Sequence, residues 1–132
     1  MENERPEPVV LLVDDEFLIL DLLQEELQTA GFAVLAVGNA TKAIELAQTQ
    51  TERIRVIVTD IDLGRDTTGW DVARLGREFN PNVAVVYMTG RSASDWPALG
   101  VPGSVMLQKP FVTAQLITAI ATKLNEQDSS LN

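Results

Sequence analysis

The chain has 132 residues, 45% of them apolar and 22% charged, which allows one domain with a core of its own and excludes a disordered polymer. Nineteen acids against ten bases leave a net charge of −9, a field that opposes nucleic acid and anionic membrane surfaces as partners. Cysteine is absent, so there is neither a disulfide framework nor a thiolate metal site, and the apolar run after the polar opening MENERPEP is too short for a signal segment or a membrane span. A cytoplasmic protein is expected.

In chain order, residues 1–7 read as a disordered lead-in, 8–125 as one domain and 126–132 as a frayed tail. The domain opens on the strand VVLLV, followed by a helix over 16–30 whose Leu20, Leu23, Leu27 and Ala30 recur at three or four positions. Next come AVLAV, a helix over 39–50 with Ala40, Ile44 and Ala47, and the strand VIV. A helix over 69–79 with Val72, Leu75 and Phe79 leads to VAVVYM. The segment 91–104, RSASDWPALGVPGS, is weak: Pro97 interrupts it and Gly100 ends it, so the fourth helix is a turn or two at most. SVML and a helix over 113–125 with Leu116, Ile120 and Leu124 close the domain. Asn39, Gly31 and Thr113 stand where helix caps belong. Strands this apolar, alternating strictly with helices, predict an α/β, doubly wound, five-stranded parallel sheet covered on both faces.

In such a sheet the ligand site lies outside the carboxyl ends of the strands. There the sequence places Asp14 and Asp15 after strand one, Asp60 at the end of strand three, Thr89 after strand four and Lys109 after strand five. One aspartate after a strand is commonly a turn former. A polar group at four strand ends of five, of three different kinds, points to a site. Three carboxylates at one edge repel one another unless a cation neutralises them, and Mg²⁺ suits carboxylates while leaving positions open to phosphate oxygens. A lysine and a hydroxyl opposite would hold the remaining oxygens, and a carboxylate could attack phosphorus.

The set of Asp14-Asp15, Asp60 after VIVT, Thr89-Gly90 after VVYM and Lys109-Pro110 after VML resembles the receiver domain of two-component response regulators over about 8–125. The resemblance implies a flavodoxin-like strand order 2-1-3-4-5 and makes Asp60 the acceptor of a phosphoryl group from a histidine kinase or a histidine phosphotransferase. It implies that Asp15 and Asp60 ligate Mg²⁺, that Asp14 holds it through water, and that the backbone carbonyl of Asp62 is a further ligand. By the same implication Thr89 and Lys109 contact phosphoryl oxygens, Gly90 leaves room for the donor, and the Lys109-Pro110 bond is cis. The expected protein is a stand-alone receiver, monomer or weak dimer, which catalyses only its own phosphorylation and dephosphorylation. It would signal to a downstream protein by altered binding or pass the group onward.

Three places depart from that pattern. Met106 stands three residues before the lysine, where the family usually has Tyr or Phe as a switch, and methionine there reads as gap-filling packing. Gly64 stands four residues past Asp60, where the family often has proline, and Gly69 comes nine past, so the loop carrying Arg65, Asp66, Thr67 and Thr68 gains one residue. Asp62 and Arg91 lie at positions that in the family tune hydrolysis, and if paired they would restrict an attacking water. Trp70 reads as packing, and Phe17, Leu18 and Ile19 as a wide buried face or a contact surface.

Two other readings remain. Asp60-Ile-Asp62 is also the DxD pair of haloacid-dehalogenase-like phosphatases, although there it ends the first strand. A pseudo-receiver, a binding module without the chemistry, would keep the same fold.

Overall fold

The computed structural model describes residues 9–64 and 66–130; the expected lead-in over 1–7 and the loop residue Arg65 lie outside the described residues. The chain runs β1 (Val9–Val13), α1 (Phe17–Thr29), β2 (Ala33–Val37), α2 (Ala40–Thr49), β3 (Ile54–Asp60), α3 (Gly69–Phe79) and β4 (Ala84–Thr89). A single 3₁₀ turn (Ala93–Asp95), α4 (Trp96–Leu99), β5 (Val105–Gln108) and α5 (Thr113–Ser130) complete it. The strands are parallel and ordered β2-β1-β3-β4-β5. This is the doubly wound sheet expected from the apolar, non-alternating strands.

Each central strand sends alternate side chains to two separate layers. Val9, Leu11 and Val13 of β1, Ile57 of β3, and Val85 and Tyr87 of β4 pack with Ala40, Ala43 and Ala47 of α2 and with Val72 and Ala73 of α3. Val10 and Leu12, Val56 and Val58, and Val86 and Met88 face Leu20, Leu23 and Leu27 of α1 and Leu116 and Ile120 of α5. Burying each such aliphatic side chain contributes about 1.5–3 kcal/mol, which makes the three middle strands a stiff frame for whatever stands at their ends. The helix faces lean slightly away from the expected stripes. Ala43 is buried where Ile44 only packs alongside, Gly76 is buried where Leu75 and Phe79 are half-covered, and Ala30 is exposed.

Two of the expected caps form. Asn39 accepts the Lys42 N–H at 2.8 Å, and Gly31, at φ +104°, ends α1 with Gly31 N–H to Gln28 and Phe32 N–H to Leu27. Thr113 is the first residue of α5 and its hydroxyl donates to Glu26 across the α1–α5 seam, so it acts as a tie between helices instead. Pro97 lies within the first turn of α4, where its missing N–H has no helical partner to lose; it accompanies the helix and does not interrupt it. α5 continues beyond 125 to Ser130, where a frayed tail was expected. Gln127 holds it there: its amide donates to the carbonyls of Arg55 and Asn82, and it accepts from the Arg55 side chain, which also reaches Asp128.

Gly69 shows why the start of α3 is fixed. A Cβ there would lie 2.1 Å from the backbone carbonyl oxygen of Asp60, and the Gly69 N–H already donates to Ile61 at 2.8 Å. Gly69→Ala is expected to cost about 3 kcal/mol or more because backbone must move. Gly31→Ala, where only the positive φ resists, should cost about 1–2 kcal/mol. Urea denaturation of the two variants checks the order.

Candidate functional site

The sheet register places the site. Val13 of β1 lies opposite Thr59 of β3, so Asp14 and Asp60, each the next residue, leave the sheet side by side. Asp60 lies opposite Met88, and Thr89 opposite Gln108, so Thr89 leaves the same edge one residue beyond the row of Asp60 and Lys109 one residue beyond that. The Lys109 N–H donates to the Thr89 carbonyl at 2.7 Å, which fixes where the lysine side chain starts. The Lys109-Pro110 bond is cis.

Ligand oxygens of Asp14, Asp15 and Asp60 lie within 4.8 Å of one another. Asp14 is 0% exposed and Asp60 6%, whereas Asp15 faces solvent. Lys109 reaches in from β5: its Nζ is 3.3 Å from Asp14 Oδ2 and 3.4 Å from Asp60 Oδ2. Glu16, which sequence reasoning passed over, is 3.9 Å from the same ammonium, and its backbone N–H caps Asp14 Oδ1 at 2.9 Å. Three clustered carboxylates therefore face one ammonium. Burial raises the Asp60 pKa to about 6; the Lys109 charge opposes this and the neighbouring Asp14 adds to it. Burial alone would lower Lys109, but the charges of Asp60 and Asp14 override it and hold its pKa above the usual value.

Hard oxygen donors in excess of local positive charge fit a divalent cation such as Mg²⁺, and Asp14, Asp15 and Asp60 are the residues able to hold it. Asp62 is not in that cluster by its carboxylate, which is exposed and lies 3.7 Å from the Arg91 guanidinium. Thr89 is fully buried at the rim, its Oγ1 accepting N–H bonds from Arg91 at 3.1 Å and Ser92 at 2.7 Å. A Cβ at Gly90 would meet nothing within 4 Å, leaving open space beside Thr89. The loop after β3 bends over the cluster: Gly64 has φ +76°, and a Cβ on it would lie 3.0 Å from Asp15 Oδ2.

Two features around the site had weaker signals in the sequence. Phe17 and Leu18 are 74% and 80% exposed at the start of α1, so the surplus apolar residues there form a surface, while Ile19 turns inward. Tyr87, the chain's one tyrosine, sits in an aliphatic strand with its ring 4.7 Å from Trp70 and its hydroxyl accepting the Val101 N–H at 3.0 Å. A lone polar aromatic in an otherwise apolar run was the available clue.

A flavodoxin-like sheet with an acidic cluster able to hold a cation and a lysine at its strand ends defines a class of α/β signalling domains. This chain belongs to the response regulator receiver domain family, which it matches over residues 10–121. In structure it is similar to a response regulator receiver protein from Sinorhizobium medicae WSM419, with 43% identity, a TM-score of 0.87, and coverage of 92% of this chain and 97% of the other. A receiver domain protein from Clostridium thermocellum has 25% identity and a TM-score of 0.86 over 92% of this chain and 97% of its own. Among curated relatives, the transcriptional regulatory protein CusR of Escherichia coli (strain K12) is 30% identical over 117 residues, 87% of this chain and 50% of CusR. PrrA of Mycobacterium tuberculosis (strain ATCC 25618 / H37Rv), also a transcriptional regulatory protein, is 29% identical over 98% of this chain and 55% of its own length. The chain thus spans about half the length of these curated relatives. Among the described residues, no helix is long and apolar enough to cross a membrane.

The raised Asp60 pKa fixes a stability trend in metal-free buffer. Between about pH 4 and pH 6 the unfolded chain ionises this carboxyl while the folded one keeps its proton, so stability falls as pH rises through that window. Asp60→Asn should therefore be more stable than the parent at pH 7.5 in EDTA, by up to about 3 kcal/mol, with the gain vanishing near pH 4. Thermal melts across pH 4–8 measure it; a parent and variant that stay parallel over the whole range would contradict the burial effect.

Proposed function

We propose that the chain accepts a phosphoryl group on Asp60 from a phosphohistidine and signals through the protein contacts this changes. The observation that carries the reading is the convergence of Asp14, Asp15 and Asp60 within 4.8 Å, with Lys109 at 3.3 and 3.4 Å from two of them. An Asp60 carboxylate oxygen attacks phosphorus, the P–N bond of the donor imidazole breaks, and an aspartyl-phosphate forms; water later cleaves the new P–O bond and restores the carboxylate. Asp15 and Asp60 would hold Mg²⁺ directly, with Asp14 through water and Asp62 through its backbone carbonyl. When bound, the ion neutralises charge on the acids and the transferring phosphoryl oxygens.

Lys109 already touches the acceptor carboxylate and supplies a positive charge to a phosphoryl oxygen without reorganising. Thr89, at the next strand end, offers a hydroxyl to another. Gly90 leaves the approach beside it open, and Phe17 and Leu18 give the donor an apolar surface next to Asp15 and Glu16. The donor is a sensor histidine kinase or a histidine phosphotransferase, and the chain acts on no substrate besides its own aspartyl-phosphate. The DxD phosphatase reading gains no support from the site, because the first strand ends in Asp14-Asp15 and the DxD pair ends the third, with its second acid directed to Arg91.

Incubation with a small phosphodonor such as phosphoramidate and Mg²⁺ should label Asp60 with acid-labile phosphate, and Asp60→Asn should take none. A parent protein that stays unlabelled while folded and Mg²⁺-replete would mark a binding module without the chemistry. The Asp62–Arg91 pair is exposed and worth at most about 1 kcal/mol. Replacing both by alanine should therefore shorten the phosphate lifetime by no more than about fivefold, as read by the decay of labelled protein.

A further inference from the structure

The segment between β4 and β5 is held at both ends by side chains of one strand. At its start, Thr89 Oγ1 accepts the N–H groups of Arg91 and Ser92 at 3.1 and 2.7 Å. At its end, the Tyr87 hydroxyl accepts the Val101 N–H at 3.0 Å. Tyr87 is 0% exposed, and its ring lies against Trp70 at 4.7 Å with the planes tilted by 57°, so the hydroxyl has little freedom to leave. Beyond it the contact continues: the Val101 carbonyl accepts the Ser104 hydroxyl at 2.6 Å, and Ser104 Oγ accepts the Trp96 indole N–H at 3.0 Å. Trp96 and Leu99, at 36% and 51% exposed, are the large apolar residues that α4 shows to solvent.

The residue opposite Tyr87 on β5 is Met106, which has neither a ring nor a hydrogen-bonding hydroxyl. The aromatic hydroxyl that reaches this segment is therefore on β4, two residues before Thr89 and in the same strand. We infer that Tyr87 is a positioning residue that couples the strand-end site to the exposed face of α4, its hydroxyl acting on Val101 and, through Ser104, on Trp96. This rests on the phosphoacceptor reading above. Thr89 cannot turn toward a phosphoryl oxygen on Asp60 and keep both N–H bonds at their present lengths. The start of the segment then loosens while the Tyr87 bond holds its end, so the displacement pivots at Val101 and is felt at Trp96. With the Tyr87 hydroxyl gone, the same loosening has no fixed point to pivot on and does not reach the indole in an ordered way.

The test uses the whole chain, ¹⁵N-labelled, with Mg²⁺ and beryllofluoride as the phosphoryl mimic. Tyr87→Phe keeps the ring and removes only the hydroxyl, and Ser104→Ala cuts the path beyond Val101. The two indole resonances are told apart with Trp96→Phe. In the parent protein the Trp96 indole should shift on adding beryllofluoride. In Tyr87→Phe the Val101 amide should exchange with solvent about fivefold faster before any addition, and the Trp96 shift should fall below half. In Ser104→Ala the Trp96 shift should fall likewise while Val101 exchange stays at the parent rate, a separation that simple loosening of the fold would not produce. A full-size Trp96 shift in Tyr87→Phe, or Val101 exchange unchanged by it, overturns the coupling; if that variant does not fold, a full-size shift in Ser104→Ala does so. The amides of Ile61 and Gly90 separate the two readings. If they respond to beryllofluoride and Trp96 never does, the coupling alone is wrong, and if nothing responds in the parent, the phosphoacceptor reading falls and the coupling with it.

Discussion

One ammonium shared by two buried carboxylates organises this molecule. Lys109 lies between Asp14 and Asp60 at nearly equal distances, and both acids are withdrawn from water at the carboxyl edge of the sheet. Ionised groups in such a place cost several kcal/mol each unless they are paired and hydrogen-bonded, and one lysine cannot balance this many acids. The edge is therefore a region of unspent electrostatic free energy. That is the state in which a bound divalent cation would have the most to gain. The cost is offset by the strands behind it, whose side chains are buried on both faces over β1, β3 and β4.

Much of this was legible in the sequence because it depends on strand ends. Period and apolarity located the five strands, and their parallel direction follows from their alternation with helices; once the strands run parallel, Asp14, Asp60, Thr89 and Lys109 must share one edge. Details set by tertiary contact were harder to read. The last turns of α5 look polar and frayed in NEQDSSLN, yet Gln127 is tied to two backbone carbonyls 45 and 72 residues away in the chain. Thr113 has the chemistry of a cap, but its hydroxyl found Glu26 on a neighbouring helix. Tyr87 reads as one more core residue in VAVVYM until the path of the following segment brings the Val101 N–H to its hydroxyl. In each case a polar side chain chose a partner that is distant in sequence, and no local pattern encodes that choice.

The two ends of the sheet contrast in kind. At the amino edge, Gln127 and Arg55 bind α5 to β3 and to the turn before β4 through bonds that leave few alternatives. At the carboxyl edge, Thr89 holds two N–H groups with one oxygen that has another possible use, and α4 is a single turn between a 3₁₀ turn and Gly100. A shift in the Thr89 hydroxyl would consequently act on a short segment anchored by single side chains, while the opposite edge is tied more densely.

The close seat of Gly69 on the Asp60 carbonyl has a consequence for how such a domain can diversify. Because the Gly69 N–H and the Ile61 carbonyl staple the loop shut at its base, the end of β3 and the start of α3 are joined by a bond that does not depend on how many residues lie between them. Length can therefore vary on the far side of the loop, while its near end, where Gly64 seats against Asp15, stays tied to the acidic cluster.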